Sequence, residues 1–305
     1  MPSLIDLRRR IRSVKNTEQI TKAMKMVSAA KLRRAQERVI AARPYANLMR
    51  EMLADLAAAA RSDERASESP WLATREPKRI DLIFFSSDTG LAGAFNSTLL
   101  KATQKFFADN PGAEITLTLV GRKGRDYYRR RGAKILTEHI NLPVRPSYQE
   151  AAGIARDVIQ RYRDGETDAV FVLNNEFKSV MSQKLSVLQL LPLAGEGITG
   201  DKAAGDKAAG DKDAGDNAEV KDYIYEQSPV DMLDRLVPRY VEVAVFRALL
   251  ETIASYQAAR MTAMDKASSN ARDVIDTLTL NMNRIRQAAI TKEIIEVVSG
   301  AAAAE

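Results

Sequence analysis

The sequence has no cysteine and one histidine, His139, among 305 residues. Disulfides and thiolate metal sites are thereby excluded, and one imidazole cannot build a His-rich centre or a conventional triad by itself. Beside Glu138 and close to Asn141, His139 reads as a polar surface residue. No apolar run approaches the roughly 20 residues of a membrane span. Nor does an apolar signal core precede the helical pattern that begins near Ser3, so a cytosolic, reducing setting is expected. Glycine is absent from Met1 to Thr89 and again from Asp216 to Ser299, and every glycine but Gly300 lies between Gly90 and Gly215. Proline is missing between Ser3 and Arg43 and after Pro238. Inside a helix glycine costs about 1 kcal/mol relative to alanine, and proline about 3 kcal/mol. Two long helices are therefore expected to bracket a glycine-bearing middle domain.

What is present fits that plan. Leu4, Leu7, Ile11 and Val14 recur at spacings of three and four, the pattern of a coiled-coil seam. Ile20, Met24 and Val27 read as its continuation, thinning into Ala29, Ala30, Leu32 and Ala35. Leu48, Met52, Leu53 and Leu56 carry the pattern past Pro44, which is expected to kink the helix without ending it. The polar stretch Ser62–Ser69, closed by Pro70, ends it. About 55 residues give a rod of roughly 80 Å. The second rod is expected to start at Ser228-Pro229, a capping residue before a first-turn proline. Pro238 is expected to break and restart it. Ile275, Leu278, Met282, Ile285 and Ala289 keep heptad spacing. The apolar set then shifts to Ile290, Ile294, Val297 and Ala301, and Gly300 is expected to terminate the helix. Polar residues at seam positions (Glu18, Thr21, Lys292, Glu296) suit a rod that also touches something else. Lying at opposite ends of the chain, the two rods can pair antiparallel.

The middle alternates strand and helix. Ile80–Ser86, Glu114–Gly121, Lys134–Thr137 and Thr167–Asn174 read as strands, with helices after the Gly90–Gly93 turn, at Arg122–Arg131 and at Ser147–Arg163. Val180–Leu193 reads as extended, and Tyr223–Tyr225 as a returning edge strand. This order implies a Rossmann-like, mostly parallel α/β domain. Neither G-x-G-x-x-G nor G-x-x-x-x-G-K-[ST] is present, and Gly121-Arg-Lys-Gly124 lacks the phosphate-loop spacing. Gly90 and Gly93 are accordingly read as serving a tight turn and close helix packing. The expected division is 1–60 for the first rod, 61–79 for a linker, 80–227 for the α/β domain and 228–305 for the second rod. Residues 200–217 form a five-residue repeat of small and charged residues. They read either as an inert surface insertion or as a regulatory loop that brakes movement.

Charge is uneven. Residues 1–60 carry thirteen Lys/Arg against five Asp/Glu, whereas the second rod is nearly balanced. A basic first helix calls for acidic partners. The runs Arg8–Arg10 and Arg129–Arg131 read as solvated basic faces, since no aromatic interleaving marks them for nucleic acid.

The runs LRRRIRSVKNTEQITKAMKMVSAAKLRRAQ, SSDTGLAGAFN and RQAAITKEIIEVVSGAAA together resemble the gamma subunit of F-type ATP synthases, across both ends and the middle. The resemblance implies a non-catalytic central rotor shaft without a cofactor. Its helix pair is expected to stand inside a ring of three alpha and three beta subunits, coupling proton flow to ATP synthesis. Its α/β foot is expected to lie near the epsilon subunit and the membrane c-ring. A peripheral place on the cytoplasmic face of a bacterial plasma membrane follows. By the same resemblance Met24 and Lys25 match the position facing an acidic beta-subunit loop, and Arg260, Gln287, Thr291 and Glu293 match C-terminal coupling positions. Where the family turn reads GLCGG, this chain has Ala92 and Ala94 for the cysteine and second glycine. The residues alone leave two other readings open: a nucleotide-binding Rossmann-like enzyme, and a basic coiled-coil nucleic-acid-binding or scaffold protein.

Overall fold

A computed structural model describes residues 3–61, 69–73, 76–141, 143, 145–193 and 227–302, with side chains described as far as Ser299. The repeat at 200–217 and Tyr223–Tyr225 lie outside the described residues.

The first helix, α1 (Leu4–Ala60), starts at a reciprocal cap. Ser3 Oγ accepts from the Asp6 amide at 3.2 Å, and the Asp6 carboxylate accepts from Ser3. These contacts satisfy donors that the first turn leaves orphaned. Buried positions then follow the seven-residue repeat: Leu7, Thr21, Ser28, Leu32, Ala35, Val39, Ala46, Leu53, Leu56 and Ala60. Ile20 and Val27 are not on this seam; they are 57% and 54% exposed, whereas Thr21 and Ser28 are buried. The repeat is kept by geometry, and the seam there is filled by small polar side chains instead of large apolar ones. The helix passes through Pro44, held on both sides by buried Val39 and Ala46.

Five strands follow. They are β1 (Arg79–Phe85), β2 (Glu114–Val120), β3 (Ile135–His139), β4 (Ala169–Phe177) and β5 (Gln183–Leu191), with α2 (Phe95–Asp109), α3 (Arg122–Arg129) and α4 (Tyr148–Arg163) between the first four. The sheet order is β3-β2-β1-β4-β5. The first four strands are parallel, and β5 returns antiparallel to β4. Ile83, Phe85, Val170 and Val172 face α4, Trp71 and the lower turns of the last helix. On the other face Leu82, Phe84, Leu117 and Leu119 pack with Leu99, Phe106 and Tyr128 of α2 and α3. Both faces are covered, which is why the central strands read as unbroken apolar runs.

The last helix, α5 (Pro229–Ala302), is a single element of 74 residues, about 110 Å long. Two expectations are corrected here. Pro238 does not break it, because Leu233, Val237 and Val241 are buried on either side and tertiary packing outweighs one missing hydrogen bond. Gly300 does not end it either, since the helix runs to Ala302. Cross-helix contacts ascend α1 while descending α5: Glu18 with Arg272 at 3.1 Å, Lys25 with Asp265 at 2.6 Å, Arg43 with Glu251 at 3.1 Å and Asn47 with Arg247 at 3.3 Å. The pair is antiparallel, and its α5 seam runs through Met264, Ser268, Ala271 and Ile275.

His139 is a further correction. It ends β3 half-buried, and its Nε2 is enclosed without a hydrogen-bond partner. Burial therefore holds its pKa below the usual histidine value.

Candidate coupling surface of the helix pair

In a doubly wound sheet the ligand crevice opens beyond the carboxyl ends of the strands where the order reverses, here between β1 and β4. That crevice is filled by α5. Tyr256 Oη is hydrogen-bonded to Thr89 Oγ1 and donates to Gly90 O at 3.3 Å. Ser255 Oγ donates to Asn175 O at 3.1 Å, and the Phe177 amide donates to Glu251 at 2.7 Å. The serine side chains of the Ser86–Gly93 turn are also engaged internally: Ser87 pairs with Asn96, and Ser86 Oγ bonds Val120 O and the Gly124 amide. The hydroxyls of Ser86, Ser87 and Thr89, which could otherwise meet a phosphate, are engaged within the chain. Gly93 has φ +56°, so its turn role stands, but a Cβ on it would meet Ala263 only at 3.8 Å. Gly90 has similar room, with Lys123 at 3.9 Å. The glycines that close packing demands are Gly121 and Gly124, where a Cβ would come within 2.3 Å of Ser86 O and 2.6 Å of Phe84. Both sit at the start of α3, pressed against β1.

Sequence reasoning missed the joint between rods and sheet. Glu251 has a side chain only 2% exposed and accepts from Arg43 Nε at 3.1 Å, Arg43 Nη2 at 3.3 Å and the Phe177 amide. Arg43 Nη2 also donates to Phe177 O at 2.6 Å. Arg247 bridges Glu251, Glu176 and Asn47. One buried carboxylate thus ties α1, α5 and the end of β4 together. Burial pushes the Glu251 carboxyl above its ordinary pKa, against the opposing pull of the Phe177 amide and the two arginines. The signal in the sequence was a lone acid inside the apolar run Ala248–Ala254; its partners are far away along the chain.

The six expected coupling residues fall at two levels. Met24 is half-buried beside the seam, and Lys25 on the seam is already paired with Asp265. Arg260 lies nearby on α5, half-buried, with Nη1 donating to Tyr256 Oη at 3.3 Å and Nε enclosed without a partner. Gln287, Thr291 and Glu293 are exposed about 40 Å further along α5, with Thr291 Oγ1 donating to Gln287 O at 2.9 Å. Extending the cross-helix pairing places the start of α1 opposite about residue 286, so α5 overruns its partner by roughly 15 residues, about 23 Å. On that overhang Ile290, Ile294, Ile295, Val297 and Val298 are 48–71% exposed. Ile290, Ile294, Val297 and Val298 share one stripe of the helix and Ile295 lies beside it, so the tip presents an exposed apolar face.

Of the two basic runs, Arg8–Arg10 is exposed. The other is not a bare solvated face: Arg129 pairs with Glu138 at 2.7 Å, and Arg131 stacks 3.6 Å from the Tyr127 ring centroid. Among the described residues no group of His, Asp or Glu is placed to hold a metal, and no helix is long and apolar enough to cross a membrane.

Residues 3–304 match a family model described as ATP synthase. The chain is 56% identical to the ATP synthase gamma chain of Solibacter usitatus (strain Ellin6076) over 305 residues, covering 100% of both chains. It is 45% identical to that of Pelotomaculum thermopropionicum, again over 100% of both. The chain belongs to the ATP synthase gamma-chain family. Among solved structures it is similar to the central stalk of the Tetrahymena thermophila mitochondrial ATP synthase, at TM-score 0.60 and 27% identity, covering 82% of this chain and 99% of that one. A chain of the Euglena gracilis mitochondrial ATP synthase shares the fold at TM-score 0.65 and 19% identity, covering 98% and 94%. A long helix pair over an α/β foot is thus the central-stalk architecture of gamma chains. The nucleic-acid-binding alternative gains no support from these likenesses.

Proposed function

We propose that this chain is the non-catalytic rotor shaft of a proton-translocating ATP synthase. In this reading it turns inside a ring of three alpha and three beta subunits, with its foot on the epsilon subunit and the membrane c-ring. The assembly sits at the cytoplasmic face of a bacterial plasma membrane. The division into 1–60, 61–79, 80–227 and 228–305 then corresponds to ascending helix, linker, foot and descending helix. The observation that carries the reading is the overhang of α5, an apolar helix end that projects beyond α1 with no intrachain partner among the described residues. Such a tip suits an apolar sleeve supplied by the surrounding ring. Met24, Lys25 and Arg260 serve the lower contact level, and Gln287, Thr291 and Glu293 the upper. The asymmetric shaft shows each catalytic site a different face, and biases that site only through differential contact energy.

The test is Met24→Lys in the assembled complex. It places a second cation beside the Lys25–Asp265 pair, so protons pumped per ATP hydrolysed should fall while subunit stoichiometry is unchanged. Unaltered coupling would remove Met24 from the contact. Failure of the chain to co-purify with an ATP-hydrolysing complex would remove the whole reading.

A further inference from the structure

One cluster of charge is used neither by the fold nor by the coupling surface. Lys31, Arg34 and Arg38 stand at helical spacing on α1, and together with Pro143 and Arg145 they line a cleft of about 490 Å³ against the β3–α4 connection. None of the four cations forms an ion pair with a described acidic side chain; the local acid, Glu37, is engaged by Arg33 at 3.5 Å. Like charges at i,i+4, as in Arg34 and Arg38, repel along a helix, and Arg145 brings another cation to the same cleft from a separate element. Arg145 is also constrained, because Pro146 follows it directly and disfavours helical backbone angles for it. The connection that carries it leaves the carboxyl end of β3, the edge at which sheets of this type bind ligands. Unlike the crevice between β1 and β4, this part of that edge is open.

We propose that the cleft binds an oligophosphate, either the phosphate chain of a nucleoside di- or triphosphate or an inorganic polyphosphate. Three guanidinium groups and one ammonium match a chain of three to four negative charges, and arginine's planar fork suits phosphate oxygens. The volume is that of a small-molecule site. A bound oligophosphate bridges α1 to the β3–α4 connection, tying the shaft to its foot at a second point.

The test is calorimetric titration of the full-length chain at physiological ionic strength with tripolyphosphate, ATP, ADP and hexaglutamate. Saturable one-to-one binding of tripolyphosphate is expected, weakened roughly tenfold by Arg145→Gln, the effect of one lost charge-assisted contact. Arg34→Gln/Arg38→Gln should weaken it further, while Arg8→Gln/Arg9→Gln/Arg10→Gln on the exposed face of α1 should leave it unchanged. Equal affinities for ATP and tripolyphosphate identify the phosphate chain alone as the ligand; tighter ATP binding identifies a nucleotide. Because Arg145 is exposed in a connection, its variant tests the site even if the double variant on α1 fails to fold. The proposal is overturned by absence of saturable binding, by equal weakening in the Arg8–Arg10 control, or by hexaglutamate binding as tightly as tripolyphosphate.

Discussion

The lower and upper halves of the helix pair are built on the same seven-residue repeat but with opposite contents. Near the foot the seam holds Leu32, Val39, Leu53 and Leu56, backed by the sheet and pinned by the buried Glu251 network. Higher up it passes through Thr21, Ser28 and Ser268, closed by the ion pairs Lys25–Asp265 and Glu18–Arg272 at its margins. Above that α5 continues alone. Large buried side chains contribute about 1.5–3 kcal/mol each, whereas small polar ones contribute little and exposed ion pairs about 0–1 kcal/mol. The pair is therefore anchored at one end and weakly held at the other. A rod that takes up torque at its foot and yields against a ring needs that gradient.

The comparison breaks most readily at the anchor. Replacing Glu251 by alanine strands Arg43 and Arg247 and frees the Phe177 amide, so stability should fall by about 3–5 kcal/mol in denaturant unfolding. A loss under about 1 kcal/mol would mean that the joint carries no load. Gly121→Ala tests the foot's own packing. It forces φ near +100° on a side chain that meets Ser86 O at 2.3 Å, and a loss of about 2–4 kcal/mol is expected. In the upper seam the effect should be smaller. Asp265→Asn removes a pair whose side chains are 42% and 59% exposed, so its cost should stay below about 1 kcal/mol and shrink further in high salt.

The smallest effect is expected from His139. Its folded pKa lies below the unfolded one, so the unfolded state takes up protons first as pH falls. Stability from this group is present above the ordinary histidine value of about 6.5 and is lost as pH drops through the folded pKa. His139→Gln should flatten the stability profile on the acid side of neutral pH. A profile that steepens instead would reverse the assigned sign.

What could be read from the sequence followed from backbone chemistry. The absence of glycine from both ends announced the two rods, and Ser3, Ser228 and Pro229 marked where they begin. The β-branched and aromatic runs marked the buried strands. The upper seam was misread because Ile20 and Val27 are apolar, whereas the repeat itself buries Thr21 and Ser28. Pro238 was misread because local cost was weighed without the packing of Leu233, Val237 and Val241. Neither the Glu251 joint nor the basic cleft could be assembled beforehand, since each joins residues more than 100 positions apart, as with Arg43 and Glu251 or Arg34 and Arg145.

The gradient along the rod is tested most directly by native-state hydrogen exchange on the full-length chain, read amide by amide along α5. Slow exchange is predicted from Ala248 to Ala258, at the joint, with protection falling steadily through Ser268 and Ile275 and becoming minimal beyond Ile290. Uniform protection along the helix, or greater protection around Ser268 than around Glu251, would contradict it.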